Sequence, residues 1–151
     1  MEVISSPFSV TVTPPPEKHV FVSHADEDRP LSLTLVGALE DDSFPCWIAH
    51  RDIPPGLSWM GAIVDAIVAS RLMIVIVSKY SVGSENVLRE VTIAADERVP
   101  FLAFRIDDSP LSKDLRFFFS TAQRLDAFSH SQADAIALLR ASVAKLLAET
   151  R

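Results

Sequence analysis

Short apolar runs alternate along the chain with stretches in which apolar residues recur every three or four positions. The clearest run, residues 72–77, has no polar alternation, which is typical of a strand covered on both faces of a parallel sheet. Other runs predict strands at 20–22, 44–48, 99–104 and 123–125, with a further short apolar element at 115–119. Helical spacing is carried by Leu31, Leu35 and Leu39, by Trp59, Ala62, Ile63, Ala66 and Ile67, by Val87, Val91, Ala94 and Ala95, and by Ile136, Leu139, Val143 and Leu146. This alternation predicts an α/β fold, an open sheet of about five parallel strands with helices on both faces.

The first 17 residues form a separate, polar segment. Proline recurs there at position 7 and at positions 14–16, and proline inside a helix removes a backbone hydrogen bond. Val10 and Val12 leave a small edge strand open as an alternative, but we expect a loose tail. The folded domain is therefore predicted to span residues 18–151.

Composition narrows the class of protein. The 151 residues are 48% hydrophobic and 23% charged, as in an ordinary globular domain, and the net charge of −6 argues against a broad nucleic-acid-binding face. One cysteine, Cys46, cannot form an internal disulfide and suits a reducing compartment. The N-terminus has no basic segment before an apolar stretch, and no apolar run could span a bilayer. We expect a cytoplasmic protein with neither nucleic acid nor membrane as partner.

The sequence lacks the motifs of several common binding and catalytic sites. Four glycines form neither a G-x-G-x-x-G fingerprint nor a P-loop, and no G-x-S-x-G motif is present. The four histidines lack the spacing of a zinc site, so no metal is expected. Ligands of a parallel sheet collect where its strands end, which directs attention to the loops at 23–28, 49–58, 78–83 and 105–112.

One carboxylate has an unusual position. Glu90 lies in the second turn of a helix for which Ser84 is the predicted N-cap. At 100° per residue, Glu90 falls on the flank of the apolar stripe of this helix. It is either a solvated residue near a helix N-terminus, where negative charge is favourable, or a half-buried carboxylate beside the cleft that can stabilise a developing positive charge.

Three segments resemble the Toll/interleukin-1 receptor (TIR) domain family in its bacterial form. They are VFVSH at 20–24 with its continuation to residue 28, CWIAHRDIPPG at 46–56 with Trp59 downstream, and residues 84–94. The segments 100–106 and 125–127 resemble the last strands of that family, so the resemblance covers about 18–148. It implies a flavodoxin-like sheet whose second strand leads into the family's BB loop, which here begins at Arg51 and ends at Gly56.

The resemblance also implies an activity, because many bacterial and plant members cleave NAD⁺ between nicotinamide and ribose. Their catalytic glutamate follows a valine by three positions, and Val87-Leu88-Arg89-Glu90 matches that pattern, which assigns the role to Glu90. One departure is Asn86, where enzymatic members often carry a bulky residue. The resemblance assigns NAD⁺ as substrate, with no separate cofactor, and places these side chains around it: Phe21, Ser23, His24, Arg51, Asp52, Trp59 and Ser84.

Some of these residues also have purely structural interpretations. Trp59 is as well explained by packing on the sheet, Trp47 is interpreted as a core residue, and Arg51 with Asp52 could form a self-paired turn worth less than about 1 kcal/mol.

Three functions stay open at this point. The first is a hydrolase or cyclase of NAD⁺ in bacterial anti-phage defence. It would be active on self-association, in which the loop of one copy completes its neighbour's site, and a fused or separate nucleotide-sensing domain could control it. The second is a non-catalytic adaptor or a protein that interferes with host signalling, through TIR–TIR contacts. The third is a phosphoreceiver domain, for which Asp26, Glu27 and Asp28 offer an acidic cluster without a suitable lysine.

Overall fold

The computed structural model describes residues 19–53, 56 and 59–149. The predicted tail at 1–17, with its alternative strand at Val10 and Val12, lies outside the described residues. Among the described residues, five parallel strands form one sheet: β1 His19–Ser23, β2 Cys46–Ile48, β3 Ser70–Val77, β4 Phe101–Arg105 and β5 Gln123–Asp126. Their order across the sheet is β2-β1-β3-β4-β5, the order of flavodoxin-like folds, as predicted.

In the described part of the chain, five helices cover the two faces of this sheet: α1 Arg29–Asp41, α2 Trp59–Ala69, α3 Glu85–Asp96, α4 Lys113–Phe118 and α5 Gln132–Glu149. Helices α1 and α5 pack on one face, and α2, α3 and α4 pack on the other. Short 3₁₀ turns at Asp26–Asp28 and Ala127–Ser129 follow β1 and β5. No helix in the described part of the chain is both long and apolar enough to cross a membrane.

The uninterrupted apolar run of β3 has the predicted cause. Leu72, Ile74 and Ile76 face the α1/α5 side, and Met73, Val75 and Val77 face the other side, so both faces of the strand are covered. Each such side chain contributes roughly 1.5–3 kcal/mol on full burial. The central strand is therefore buried on both faces from Leu72 to Val77, and it anchors the elements on either side.

Most strands differ from the sequence prediction by one or two residues at an end, and three differences are informative. β2 begins at Cys46 rather than 44, because Pro45 has no N–H for the ladder and offers only its carbonyl, which accepts from Val20 N at 2.8 Å. β4 begins at Phe101 rather than 99. The apolar element at 115–119 lies within and just after α4, a helix whose N-cap Ser112 accepts from Leu115 N.

Two predicted local features are confirmed. Ser84 caps α3, its hydroxyl oxygen accepting from Val87 N at 3.2 Å. Trp47 is a core residue, 5% exposed, and its ring stacks on Phe21 with centroids 5.2 Å apart. The stack fixes β1 against β2 beneath the carboxyl edge of the sheet.

The two central strands send the chain to opposite faces. β1 leads into α1 on one face, and β3 leads into α3 on the other. In parallel sheets, such a divergence between neighbouring strands leaves a crevice at their carboxyl ends, where ligands of α/β proteins bind. The fold therefore places its best binding position beside Ser23, at the end of β1.

Candidate functional site

A cavity of about 290 Å³ opens at this crevice. The turn after β1, the end of β2, the first turns of α2 and the first three turns of α3 line it. The described residues that line it are Val22, His24, Asp26, Ala49, His50, Trp59, Met60, Ile63, Val64, Asn86, Arg89, Glu90 and Ile93. More than half are apolar, which is the usual make-up of a small-molecule site in which a few polar groups orient the ligand.

Glu90 is the half-buried carboxylate of this cavity. Ser23 Oγ donates a hydrogen bond to Glu90 Oε1 at 2.7 Å and links the end of β1 to α3. Burial raises the pKa of Glu90 from its ordinary value near 4.5 to about 7, and the bond from Ser23 opposes that rise by favouring the charged form. The carboxylate therefore changes charge near neutral pH, as a group adapted to catalysis often does.

One face of α3 supplies four of the lining residues. Asn86, Arg89, Glu90 and Ile93 follow the spacing i, i+3, i+4, i+7, beside the core stripe of the same helix. Arg89 is 71% exposed in its side chain, whereas Glu90 is largely enclosed. Arg89 Nη1 donates to Asn86 Oδ1 at 3.3 Å, and Arg89 Nη2 lies 3.7 Å from Glu85 Oε2. This face therefore carries a cation toward the mouth and an acid further in.

His24 contributes a hydrogen-bond acceptor. Its Nδ1 donates to the carbonyl of Ala25 at 2.7 Å, which leaves the lone pair of the neutral ring on Nε2. Within the described residues, Nε2 has no hydrogen-bond partner and is shielded from solvent. Burial lowers the pKa of His24, against the opposing effect of the Ala25 carbonyl, so the ring is neutral at physiological pH.

The rim of the cavity joins three chain segments. The rings of His50 and Trp59 meet edge to face, with centroids 4.8 Å apart, across the two ends of the loop after β2. His50 Nε2 lies 3.4 Å from Asp26 Oδ1 of the turn after β1. His50 has a φ of 73°, a left-handed conformation that turns the chain sharply at the strand end. Trp59 is 46% exposed, so it lies at the rim and is not packed within the sheet core.

The other predicted site residues lie away from the described lining of the cavity. Phe21 is buried under Trp47, and Ser84 is occupied as the cap of α3. Arg51 makes a two-pronged contact with Glu40, both bonds at 2.9 Å, and also donates to the Cys46 carbonyl and to Asp52. Asp52 Oδ2 accepts from Ile48 N at 2.9 Å. Substrate contacts of these four residues stay predictions.

The sequence prediction did not assign several of the lining residues to the site. Their signals were present: Asp26 and His50 lie within three positions of the ends of β1 and β2, and Met60, Ile63 and Val64 lie on the predicted helix after the loop. The face that this helix turns to the cavity results from tertiary packing, which the sequence pattern does not specify.

The acidic residues after β1 do not converge. Asp26 is exposed at the rim, Glu27 is exposed, and Asp28 is buried, where it accepts a hydrogen bond from Ser78 Oγ. Burial raises the pKa of Asp28, and the Ser78 bond opposes that rise. Over residues 19–53, 56 and 59–149, no three histidine, cysteine, aspartate or glutamate side chains are grouped as a metal ion would need. The acidic pocket of a phosphoreceiver is therefore not formed by these three residues.

Known proteins share this fold. The chain is 33% identical, over 103 residues, to the stimulator of interferon genes protein of Magallana gigas, in an alignment that covers 61% of this chain and 25% of that protein. The chain thus spans about a quarter of that relative. The TIR-STING receptor of C. gigas superposes with a TM-score of 0.62 at 22% identity, covering 95% of this chain and 44% of that one.

Two further solved structures are similar over most of their own length. The TIR domains of the activated Roq1 resistosome, which directly recognises the pathogen effector XopQ, match with a TM-score of 0.66 at 15% identity, covering 83% of this chain and 98% of that one. A CMP N-glycosidase of Clostridium botulinum matches with a TM-score of 0.59 at 14% identity, covering 82% and 98%. The family profile described as "TIR domain" matches residues 20–140 of this chain. With four-fifths of its length matched by that profile, the chain belongs to the TIR domain family.

Proposed function

We propose that this protein cleaves NAD⁺ between nicotinamide and ribose, with Glu90 as the catalytic residue. The observation that carries the proposal is the placement of one half-buried carboxylate, held by Ser23, in a mostly apolar cavity at the crevice of the sheet. A cavity of about 290 Å³ is near the lower end for small-molecule sites, so it fits the nicotinamide riboside end of the dinucleotide rather than all of it.

The chemistry needs little more than a well-placed negative charge. The bond between the anomeric carbon and the pyridinium nitrogen breaks, its electron pair goes to nitrogen, and nicotinamide leaves as a neutral molecule. The ribose carries the positive charge of an oxocarbenium-like transition state, which the Glu90 carboxylate stabilises at short range in a cavity of low polarity. Water then adds to the anomeric carbon, so that ADP-ribose and one proton are released.

The same intermediate permits cyclisation when a nucleophile within ADP-ribose attacks in place of water. Apolar side chains from α2 and α3 restrict water near the reacting carbon, which favours cyclisation, whereas a water molecule that enters through the open mouth gives hydrolysis. A structure with the same fold is described as a CMP N-glycosidase, an enzyme that cleaves an N-glycosidic bond of a nucleotide. That likeness supports this class of bond as one that the fold can accommodate.

Self-association belongs to the proposal. The loop that begins at Arg51 follows Ala49 and His50, which line the cavity, and α2 exposes Trp59, Met60 and Val68, of which Met60 is 76% exposed. Contacts between copies through the loop and this helix would bury that apolar surface and enclose the cavity. A structure with the same fold is a resistosome, an assembled state of TIR domains.

The biological setting that we propose is defence, in the form of bacterial anti-phage immunity, with a nucleotide-sensing domain fused or supplied separately. Two matches are described as a TIR-STING receptor and as a resistosome that recognises a pathogen effector. The first combines a TIR domain with a second unit in one receptor, the arrangement that a fused sensor requires.

The direct test is nicotinamide release from NAD⁺ by the wild-type protein and by Glu90→Gln. The assay uses high protein concentration and a crowding agent to promote assembly. We expect release by the wild type, with a rate per molecule that rises with concentration, and a loss of at least a hundredfold in the variant. Glu97→Gln, an exposed change at the end of the same helix, is the matched control and retains the wild-type rate.

A non-catalytic adaptor is the second candidate, favoured by the exposed apolar residues of α2 and by the polar Asn86 at the cavity. The same experiment separates the two functions. Absence of release under assembling conditions, with concentration-dependent association that Met60→Asp abolishes, would replace the enzyme by the adaptor.

A further inference from the structure

The charges around the cavity are distributed unevenly. Among its described lining residues, Arg89 is the one lysine or arginine, and the carboxylates there are Asp26 and Glu90. NAD⁺ carries two negative charges on its diphosphate, and this chain has a net charge of −6. Binding of such a substrate therefore needs a local cation to offset repulsion, and the cavity offers one.

Arg89 occupies the position that this role requires. It adjoins Glu90 in α3, and both side chains line the same cavity, but Arg89 is 71% exposed at the mouth. In NAD⁺, only the 5′ carbon and one oxygen separate the reacting ribose from the first phosphate. A substrate whose ribose lies at Glu90 therefore brings its diphosphate toward the mouth, within reach of a long side chain on the neighbouring residue.

Arg89 has two side-chain contacts within α3, and both are weak enough to be exchanged for a ligand. The bond to Asn86 is 3.3 Å long, and the contact with Glu85 is 3.7 Å long between two highly exposed side chains. Exposed pairs of this kind contribute between zero and about 1 kcal/mol. A diphosphate can accept two parallel hydrogen bonds from a guanidinium, which is a stronger, charge-assisted arrangement.

The arginine of the neighbouring loop is engaged elsewhere. Arg51 directs its guanidinium to both oxygens of Glu40, to Asp52 and to the Cys46 carbonyl, at distances of 2.8–2.9 Å. To reach a phosphate, Arg51 would have to break several charge-assisted bonds, whereas Arg89 would exchange two weak ones.

We propose that Arg89 binds the diphosphate of the dinucleotide substrate and thereby makes the site selective for nicotinamide dinucleotides over nicotinamide riboside. This inference rests on the proposed function, since it assumes that the ribose lies at Glu90. Arg89 is then a binding residue whose contribution appears in KM more than in kcat, because the diphosphate does not change during the reaction.

The kinetic test compares NAD⁺ with nicotinamide riboside, which has the same scissile bond and no phosphate. For Arg89→Gln we expect KM for NAD⁺ to rise about tenfold, with kcat within about twofold, and the kinetics on the riboside to match the wild type. Raising the salt concentration weakens NAD⁺ binding by the wild type more than by the variant. The control is Arg116→Gln, which removes one positive charge from an exposed position in α4. An equal loss on both substrates, or a larger selective loss in Arg51→Gln, overturns the assignment.

A binding measurement separates this inference from the proposed function. Calorimetric titration of ADP-ribose into Glu90→Gln requires no turnover, and adding Arg89→Gln should weaken binding about tenfold while nicotinamide binding stays the same. Full NAD⁺ cleavage by Glu90→Gln would defeat the proposed function, and the titration would still decide the role of Arg89. Unchanged ADP-ribose binding in the double variant, or no binding in either protein, overturns the assignment.

Discussion

Ser23 Oγ and Glu90 Oε1 are 2.7 Å apart although 67 positions separate the two residues in the chain. The bond joins the last residue of β1 to the second turn of α3 across the crevice between β1 and β3. It orients the carboxylate and favours its charged form, whereas burial favours the neutral form and is the larger effect, so that the pKa of Glu90 is about 7. Because two opposing effects set this pKa, removing either one should shift it.

The pH dependence of NAD⁺ cleavage should follow the ionisation of Glu90. Because the reaction needs the carboxylate, kcat/KM should rise with pH through about 7 and level off above it. The pyridinium charge of bound NAD⁺ favours ionisation, so the rise in kcat should lie at lower pH than the rise in kcat/KM. Initial rates between pH 5 and 9 check this. A kcat/KM that is flat from pH 5 to 8 would contradict the pKa of about 7.

Removing the bond from Ser23 should move that profile. In Ser23→Ala the carboxylate loses the hydrogen bond that favours its charged form, so the pKa of Glu90 should rise and kcat/KM at pH 7 should fall several-fold. The loss should be largely recovered at pH 9, which a merely structural defect would not allow. Ser120→Ala, at an exposed position after α4, is the control. A profile of unchanged midpoint would mean that Ser23 does not tune Glu90.

The same pKa shift predicts how stability depends on pH. The folded-state pKa of about 7 lies above the ordinary value near 4.5, so the stability contributed by this group is fully present below about pH 4.5 and is lost as the pH rises through about 7. Glu90→Gln cannot ionise and can still accept from Ser23. It should match the wild type near pH 4.5 and be the more stable protein at pH 8, by at most about 3 kcal/mol.

Thermal unfolding at several pH values checks this difference, with Glu97→Gln as an exposed control that shows no such trend. An inactive variant that is more stable than the wild type at pH 8 would indicate a carboxylate retained for chemistry at the expense of stability. Equal stability at all pH values would mean that burial does not perturb Glu90.

The strands and most of the helices could be predicted from the sequence because the patterns that indicate them are local. The unbroken apolar run of β3 and the helical stripes of α1, α2 and α3 each report burial directly. The strand order, which places Ser23 beside Glu90, followed from the family resemblance, since periodicity carries no information about which strands are neighbours.

Only part of the site could be predicted from the sequence. Glu90 could be chosen as a candidate from the resemblance, because its motif lies within one helix, whereas the bonds of Arg51 could not be foreseen, because its partner Glu40 lies 11 positions away in α1. The position of Arg89 at the cavity mouth depends on how α3 is rotated against α2, and that rotation results from packing rather than from sequence spacing.

Arg51 should stabilise the start of the loop after β2. Its guanidinium ties α1, through Glu40, to the end of β2, through the Cys46 carbonyl. Because the side chain is 36% exposed, screening reduces the benefit, and Arg51→Gln should lower the free energy of unfolding by about 1 kcal/mol. Urea unfolding of the variant checks this. If Glu40→Gln lowers the free energy of unfolding by a similar amount, and the double variant lowers it no further than either single variant, the two side chains act as a pair. Additive losses in the double variant would contradict this pairing.

Asn86 offers a gain-of-function test of the site. It lies one turn before Glu90 on the same face of α3 and lines the cavity. The family resemblance of the sequence implies that enzymatic members often carry a bulky residue at this position. An indole at this position could stack on the flat ring of the substrate without displacing core atoms, because Asn86 is exposed. Aromatic stacking of about 0.5–1.5 kcal/mol corresponds to a rise of roughly two- to tenfold in kcat/KM for Asn86→Trp.

Asn86→Ala is the necessary control, since both variants remove the amide that accepts from Arg89 and only one adds a ring. We expect the alanine variant to bind NAD⁺ somewhat more weakly than the wild type and the tryptophan variant to exceed both. A tryptophan variant no better than the alanine variant would show that the substrate ring does not pass this face of α3, and would place the nicotinamide nearer to His24 and Trp59.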